Sequence, residues 1–176
     1  MTLLERALQV LDGVADSVVL ATGAAPRYEA LGRTCVLDQV TDAGPLAGLS
    51  AALENTGAEW LCALACDMPD VDATLVQKLL DHARENELDV CLLETESGVE
   101  PLCAVYRRTC REAVSQSLVS GEFKMVGFHG DGLRVGTLSA RALTGSEGCA
   151  LNLNTRADYA RVLDSARTRD SSGEAS

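Results

Sequence analysis

Apolar residues along the chain follow two patterns, one with helical spacing and one as short continuous runs. LLERALQVLD (3–12) has apolar positions at helical spacing and predicts an amphipathic helix. Continuous apolar runs predict buried strands at 17–22, 34–37, 60–66, 89–95, 102–106 and 133–138. Further helices are predicted at 44–57, 72–87, 108–121 and 154–167.

The alternation of strands and helices predicts an α/β fold. Such an order is typical of parallel β-α-β units, so we expect one three-layer, mostly parallel sheet with helices on both faces. The chain has 176 residues, which suits one domain, expected over residues 1–167. The last nine residues, TRDSSGEAS (168–176), predict a disordered tail.

Composition narrows the classes of function. The net charge is −11 and the sequence pI is about 4.5, so a surface that binds nucleic-acid phosphates is not expected. No apolar run approaches the roughly 20 residues of a membrane helix, and the N-terminus does not resemble a signal peptide, so we expect a cytoplasmic protein. Its seven scattered cysteines form no CxxC pair and are interpreted as small apolar residues, mostly buried.

Two aspartates follow predicted strands where a ligand is expected. Asp38 and Asp67 each come after an apolar run, and ligands of open α/β sheets bind beyond the carboxyl ends of the strands. Carboxylates there suit Mg²⁺, which would also neutralise phosphate. For each, the alternative is an ordinary turn or helix-capping aspartate. That alternative is weaker for Asp67, because Asp70 and Asp72 are better placed to cap the helix that follows.

Gly44 and Pro45 open the second predicted helix. The free N–H groups and positive dipole end of a helix favour a phosphate or a polar base edge. Gly48 lowers the stability of this helix, which suggests a close approach by a ligand or by backbone. Gly-Pro also begins many ordinary helices, so the motif alone is not specific.

NLNT near the C-terminus offers polar side chains. Asn152 and Asn154 alternate with leucines, so both amides can face one side and contact a polar ligand; the alternative is hydrogen bonding within a loop. Thr155 with Asp158 resembles a capping box and is interpreted as structural.

Five motifs in this order and spacing resemble the molybdenum cofactor guanylyltransferases, which are nucleotidyltransferases with a Rossmann-like, glycosyltransferase-A-type fold. The motifs are D-x₅-GPLAGL (38–49), LACDMPxxD (64–72), EPLxAVY (100–106), SGEFK (120–124) and NxNTxxDY (152–159). The resemblance covers about residues 3–163.

The resemblance implies an activity and residue roles. Enzymes of this family join GMP from GTP-Mg²⁺ to the phosphate of molybdopterin and release pyrophosphate. By position, Asp67 matches the catalytic, magnesium-binding aspartate that also contacts GTP, and Asp38 matches a second GTP contact before the Gly44–Gly48 turn. Lys124, Asn152 and Asn154 match the region that faces molybdopterin. Molybdoenzymes or other cofactor-biosynthesis proteins are the implied partners.

The N-terminus departs from the family pattern. The family begins with a strand and a glycine-rich loop, LAGGxSxRMGxDK, whereas TLLERALQVL here matches the helix that follows that loop. Ala21 or Thr22 also stands near the place of a family asparagine. We therefore expect a fold without its first strand, a start other than Met1 for a working enzyme, and impaired transfer.

Two other functions remain open at this stage. One is a sibling nucleotidyltransferase that uses CTP or acts on a sugar phosphate. The other is a non-catalytic domain that binds the cofactor or a biosynthetic partner without transferring a nucleotide.

Overall fold

A computed structural model of the chain describes residues 1–130 and 132–144. The predictions that concern Cys149, Asn152, Asn154 and Thr155, the last helix and the C-terminal tail lie outside the described residues.

The predicted elements within this part of the chain are confirmed, with shorter strands in most cases. The helices are α1 (Leu3–Asp12), α2 (Pro45–Asn55), α3 (Ala73–Glu85), α4 (Arg111–Ser120) and α5 (Ala140–Thr144). The strands are β1 (Val19–Ala21), β2 (Thr34–Val36), β3 (Trp60–Leu64), β4 (Val90–Thr95), β5 (Gly98–Arg107) and β6 (Val135–Ser139). The N-terminus of α1 carries a capping box, in which Thr2 and Glu5 each accept the other's backbone N–H.

The strands form two separate sheets among the described residues. β1 pairs with β2 in parallel, and the other four strands have the order β3-β5-β4-β6. β4 and β6 are parallel, but β5 is antiparallel to both of its neighbours, so the parallel expectation was wrong for this strand. Only Glu96 and Ser97 separate β4 from β5, and two residues allow a hairpin but no parallel crossover.

Helices cover both faces of the four-stranded sheet, which confirms the three-layer architecture. One face packs against α2 and α4 through a cluster that includes Leu46, Val114 and Tyr106. The other face packs against α3 through a cluster that includes Leu79, Leu93 and Val105. Residues 105 and 106 contribute to opposite clusters because successive side chains of a strand point to opposite faces.

A cleft separates the two sheets. It lies between β1 and β3, which do not pair, and has a volume of about 480 Å³. We call it the β1–β3 cleft. Its apolar walls come from β1, β3, α1 and α2; the α1 residues are Leu4, Ala7, Leu8 and Leu11. Every residue of β3 is only half-buried, contrary to the prediction of a fully buried strand, because the cleft leaves one of its edges open.

The cysteines differ in exposure more than predicted. Cys91, Cys103 and Cys110 are buried as expected, but Cys62 is half-buried, as is Cys35, and Cys66 is exposed in the turn that follows β3. Burial raises the pKa of the Cys62 thiol to about 11. All six cysteines of the described part are free thiols. None of the described helices is long and apolar enough to cross a membrane.

Candidate functional site

Five of the predicted site residues lie together at the β1–β3 cleft. The cleft is lined by Asp38, Gly44, Pro45, Gly48 and Asp67, which come from three separate segments of the chain. The two carboxylates follow β2 and β3, and the glycines and proline begin α2. The sequence motifs therefore converge in space on one cavity.

Asp38 is held by the turns that follow β1 and β2. Its backbone N–H donates to the Gly23 carbonyl at 3.0 Å, and the Thr22 N–H donates to the Val36 carbonyl at 3.2 Å. Gly23 has a φ of +78°, a conformation that favours glycine. These bonds place the Asp38 carboxylate at the cleft rather than in solvent.

The Asp38 carboxylate carries an unsatisfied oxygen. Its Oδ1 is buried and has no hydrogen-bond partner among the described residues. Burial raises the pKa of this carboxyl, because an apolar environment disfavours the charged form. A capping or turn role would give the oxygen a backbone N–H partner, and none is present. A buried acceptor without a partner is costly, so Asp38 is suited to meet a donor or a cation from a ligand.

Asp67 lies in the turn between β3 and α3. Asp72 is the N-cap of α3 and accepts the Leu75 N–H at 2.8 Å, which confirms that Asp67 is not needed as the cap. The turn is anchored on either side of Pro69 by the buried side chains of Met68 and Val71. Within residues 1–130 and 132–144, the half-buried Asp67 side chain has no hydrogen bond or ion pair, so it is available to a ligand.

The N-terminus of α2 borders the same cavity. Gly44 is the N-cap, with φ +61° and ψ −150°, and no side chain caps the helix. Pro45 occupies the first turn, where its missing N–H costs nothing. Gly44 and Pro45 line the cleft, whereas Leu46 is fully buried, so the positive end of the α2 dipole meets the cavity at Gly44.

Gly48 explains how α2 comes so close to the cleft. A Cβ atom on Gly48 would lie 3.0 Å from the Ala21 Cβ and 3.8 Å from the Asp38 Oδ1. The close approach expected from the sequence is thus an approach to the Ala21 side chain of β1. Any larger residue at position 48 would push α2 away from β1 and crowd the carboxylate.

The charge at the cleft is negative. Asp38 and Asp67 are its charged residues, and no described Lys, Arg or His lines it. Mg²⁺ commonly binds one or two carboxylates and completes its shell with water and substrate phosphate oxygens, and the unpartnered oxygen of Asp38 fits such a ligand. No cluster of three or more acidic, His or Cys residues that could hold an ion occurs in the described part, so a phosphate ligand would have to share the ion.

Lys124 is not brought to this cavity. It lies exposed in the loop after α4, where its backbone N–H donates to the Glu122 Oε1 at 3.2 Å. It does not line the β1–β3 cleft. The expectation that Lys124 faces the second substrate together with Asn152 and Asn154 stays a prediction, because both asparagines lie outside the described residues.

Sequence reasoning missed two parts of the cavity wall. Gly23 was not predicted as part of the site, although its position in a Thr-Gly step after an apolar run indicates a tight turn at the ligand edge. The amphipathic pattern of residues 3–12 predicted an apolar face, and Leu4, Ala7 and Leu11 on that face line the cleft. Helical periodicity shows which face of α1 is apolar but does not show what that face contacts.

The chain is similar to known proteins over most of its length. The family model for the MobA-like NTP transferase domain matches residues 1–131. The chain is 29% identical over 142 residues to the "Molybdenum cofactor guanylyltransferase" of Desulfosudis oleivorans, covering 81% of this chain and 69% of that protein. It is 30% identical over 166 residues to the "Probable molybdenum cofactor guanylyltransferase" of Pelotomaculum thermopropionicum, covering 92% and 80%.

Solved structures share the fold. The "Molybdopterin-guanine dinucleotide biosynthesis protein A" of Archaeoglobus fulgidus superposes with a TM-score of 0.75 at 20% identity, covering 94% of this chain and 86% of that one. The "2-C-methyl-D-erythritol 4-phosphate cytidylyltransferase" of Thermus thermophilus gives 0.70 at 18% identity, covering 94% and 89%. These likenesses confirm the Rossmann-like α/β fold. With the family model matching most of its length, the chain belongs to the MobA-like NTP transferase family.

Proposed function

We propose that this chain is a guanylyltransferase domain that transfers GMP from GTP to molybdopterin. The observation that carries the proposal is the convergence of Asp38, Asp67 and the N-terminus of α2 on one cavity. The names of the two relatives described above support the guanylyl branch of the family.

The reaction requires positioning and charge stabilisation rather than a protein nucleophile. An oxygen of the molybdopterin phosphate attacks the α-phosphorus of GTP and forms a P–O bond. The bond from that phosphorus to the oxygen bridging to the β-phosphorus breaks, and pyrophosphate leaves with the electron pair. The attacking phosphate is already ionised, so no general base is needed.

The residues of the cleft have distinct tasks in this proposal. Asp67 and Asp38 would hold Mg²⁺, which when bound neutralises phosphate charge in the transition state. Asp67 lines the cleft with no side-chain hydrogen bond to the described residues, and Asp38 would offer a buried acceptor to the nucleotide or to the ion. The positive end of α2 at Gly44 would attract a phosphate or base oxygen.

No described basic side chain lines the cleft, which should weaken the binding of GTP. A triphosphate brings several negative charges to a cavity that already contains two carboxylates. Without a cation the ligand and the protein repel each other, so binding should depend steeply on Mg²⁺. We therefore expect residues 1–176 to bind GTP weakly and to transfer slowly.

A nucleotide panel tests the proposal. Melting of the protein is followed with GTP, CTP or ATP, each with and without Mg²⁺. A ligand at about one hundred times its dissociation constant adds about 2.7 kcal/mol to the free energy of unfolding. We expect the largest rise in Tm with GTP and Mg²⁺. Equal rises for all three nucleotides would contradict the guanine preference, and a larger rise with CTP would favour the cytidylyl alternative.

Two matched variants locate the binding site. Asp38→Asn removes the cleft carboxylate and should abolish the rise with GTP and Mg²⁺. Asp42→Asn makes the same charge change in the same loop, where Asp42 is exposed and does not line the cleft, and should leave the rise unchanged. Equal behaviour of the two variants would show that GTP binds elsewhere.

A further inference from the structure

A second cavity lies at the far end of β3 from Asp67. It borders the first residue of β3, Trp60, and the residue opposite it on β5, Arg107, and has a volume of about 440 Å³. Two further arginines line it, Arg84 from the last turn of α3 and Arg134 from the segment before β6. We call this cavity the arginine pocket. It shares no lining residue with the β1–β3 cleft.

The acidic side chains of the arginine pocket already accept hydrogen bonds. Glu59 Oε1 accepts from Arg107 Nε at 3.1 Å and from Arg107 Nη2 at 2.8 Å. Glu87 Oε2 accepts from Arg134 Nη1 at 2.8 Å. The two oxygens of Asp89 accept a threonine hydroxyl and the backbone N–H of Arg134. Each carboxylate of the pocket therefore has a donor of its own, and none of them bonds to Arg84.

Several donors of the pocket have no acceptor among residues 1–130 and 132–144. The Arg84 side chain makes no hydrogen bond or ion pair there. Arg107 donates from Nε and Nη2, which leaves its Nη1 unused. The indole N–H of Trp60 also has no acceptor there, while the guanidinium carbon of Arg107 lies 5.7 Å from the centroid of the Trp60 ring. Donors from two guanidinium groups and one indole are therefore available to a ligand.

The position of Arg84 has a simpler explanation, which accounts for its charge but not for its donors. A cation in the last turn of a helix is favoured by the helix dipole. That effect needs only a positive charge and leaves the N–H groups of the guanidinium without acceptors.

The local charge of the pocket differs from that of the chain. Three arginines balance three acids at this cavity, whereas the net charge of the chain is −11. The arginine charges also act across the pocket, since the pKa of the Glu87 carboxyl is lowered by its bond to Arg134 and further by the charge of Arg107. An anion that the chain as a whole repels is therefore tolerated at this cavity.

We propose that the arginine pocket binds a small multivalent anion through phosphate or carboxylate oxygens. The planar fork of a guanidinium donates two parallel N–H bonds to two oxygens of such a group. Arg84 would supply this fork, and Arg107 Nη1 and the Trp60 indole N–H would supply further donors. Pockets for small molecules have volumes of about 300–1,000 Å³, so the volume of this cavity suits a ligand the size of a small metabolite.

Other ligands match these groups less well. A cation would be repelled by Arg84, whose charge no carboxylate of the pocket pairs. An apolar molecule would displace water from Arg84 without replacing its hydrogen bonds, which is costly for a charged group. An anion supplies both the acceptors and the opposite charge. The inference does not depend on the nucleotide or on a metal ion at Asp38 and Asp67, since those residues line the other cavity.

The single tryptophan of the chain provides a direct test. Trp60 lines the arginine pocket, so a ligand there should change its fluorescence. The protein is titrated with sodium pyrophosphate or with sodium malonate in the presence of EDTA, which keeps divalent cations from the β1–β3 cleft. Sodium chloride at matched ionic strength controls for screening.

We expect a saturable change in fluorescence with at least one of the two anions and none with chloride. Tighter binding of pyrophosphate would identify a phosphate ligand, and tighter binding of malonate would identify a carboxylate ligand.

A matched pair of variants places the anion in the pocket. Arg84→Gln removes the guanidinium that lacks a partner and should weaken binding about tenfold or more, because hydrogen bonds to a charged group are lost. Lys78→Gln removes a charge from an exposed position of the same helix outside the pocket and should change the affinity by less than about twofold. If Arg84→Gln does not fold, Arg84→Lys keeps the charge without the fork and should still bind more weakly than Lys78→Gln.

Three results would overturn the inference. The first is the lack of a saturable fluorescence change with either anion. The second is an equal change with chloride at the same ionic strength, which would indicate screening of the exposed ion pairs. The third is equal weakening by Arg84→Gln and Lys78→Gln, which would indicate attraction to the overall charge of α3 rather than binding in the pocket.

Discussion

Ala21 and Gly48 contact each other where β1 passes the first turns of α2, and a Cβ atom on Gly48 would lie 3.0 Å from the Ala21 Cβ. This contact fixes the distance between β1 and α2. It also places α2 beside the Asp38 carboxylate, whose Oδ1 lies 3.8 Å from the same point. Helix stability alone would favour alanine over glycine at position 48, whereas the close contact with Ala21 favours glycine.

The Gly48→Ala variant tests this conflict. In an open helix the change would add about 1 kcal/mol to the free energy of unfolding. Here we expect a loss of about 1 kcal/mol, because overpacking typically costs about 1–3 kcal/mol and neither Cβ atom can rotate away. Urea unfolding measures the difference. In the double variant Gly48→Ala/Ala21→Gly the two changes should be non-additive, with part of the loss recovered. A simple gain in stability in the single variant would contradict the contact.

Asp67 and Asp72 provide a second comparison. Asp72→Ala removes the N-cap of α3 and should lower the free energy of unfolding by about 1 kcal/mol. Asp67→Ala removes no described hydrogen bond and should change it by less than about 0.5 kcal/mol.

Binding of Mn²⁺ in the presence of GTP, measured by water proton relaxation, should depend on Asp67 more than on Asp72, the reverse of their effects on stability. Asp67→Ala should weaken it about tenfold or more, and Asp72→Ala should leave it nearly unchanged. In a fully active member of the family, loss of the same aspartate should lower transfer by about 10²-fold, as for other lost electrostatic stabilisers. Unchanged Mn²⁺ binding in Asp67→Ala would remove this residue from the metal site.

Much of the fold could be predicted because its elements have local signals. Each signal lies within a few residues of the element that it predicts. Examples are the capping residues, the apolar periodicity and the Gly-Pro start of α2. The antiparallel direction of β5 also had a local signal, the two residues Glu96 and Ser97 between β4 and β5. It was missed because the general alternation of strands and helices favoured parallel units.

The remaining features depend on which segments meet in space. Asp38 and Asp67 were found because strand ends converge in any open α/β sheet. The contact of Gly48 with Ala21, the lining of the cleft by α1 and the open edge of β3 are contacts between distant segments, and no pattern within one segment specifies them. Lys124 is a further example. Its motif can be recognised in the sequence, but the sequence does not show where Lys124 lies relative to the cleft.

His129 should make stability depend on pH. Its Nε2 is buried without a partner among the described residues, and burial lowers the pKa of the imidazole. In the unfolded chain a histidine takes up a proton near pH 6.5, whereas His129 in the folded protein does so only at lower pH. The unfolded state therefore binds more protons in that window, and stability is lost as the pH falls below about 6.5.

Replacement of the histidine should flatten this dependence. We expect His129→Gln to lose less stability than the unsubstituted protein between about pH 7 and pH 5.5. His82→Gln changes the other histidine, near the end of α3, and should keep the original slope. Urea unfolding at several pH values measures both slopes. Parallel pH profiles for His129→Gln and the unsubstituted protein would show that the buried imidazole does not contribute.

Two fusion proteins can separate the effect of the unpaired strand edges on stability from the effect of the missing basic residues on GTP binding. Among the described residues the strand edges of the cleft have no partner strand, which we expect to limit stability, and its carboxylates have no basic residue beside them, which we expect to limit phosphate binding. Fusing a short apolar strand ahead of Met1 addresses the first limit. Fusing the same strand followed by a glycine-rich loop with one arginine and one lysine addresses both, because such a loop supplies backbone N–H groups and positive charge to phosphate.

We expect different results from the two fusions. The strand alone should raise Tm by about 5 °C or more but leave the affinity for GTP and Mg²⁺ within about threefold of that of residues 1–176, since it adds no phosphate ligand. The strand with the loop should raise Tm by a similar amount and strengthen GTP binding by about tenfold or more, the equivalent of about 1.4 kcal/mol. Calorimetric titration measures the affinity. If residues 1–176 bind GTP as tightly as the fusion with the loop, the cavity already contains what a triphosphate needs, and the charge argument fails.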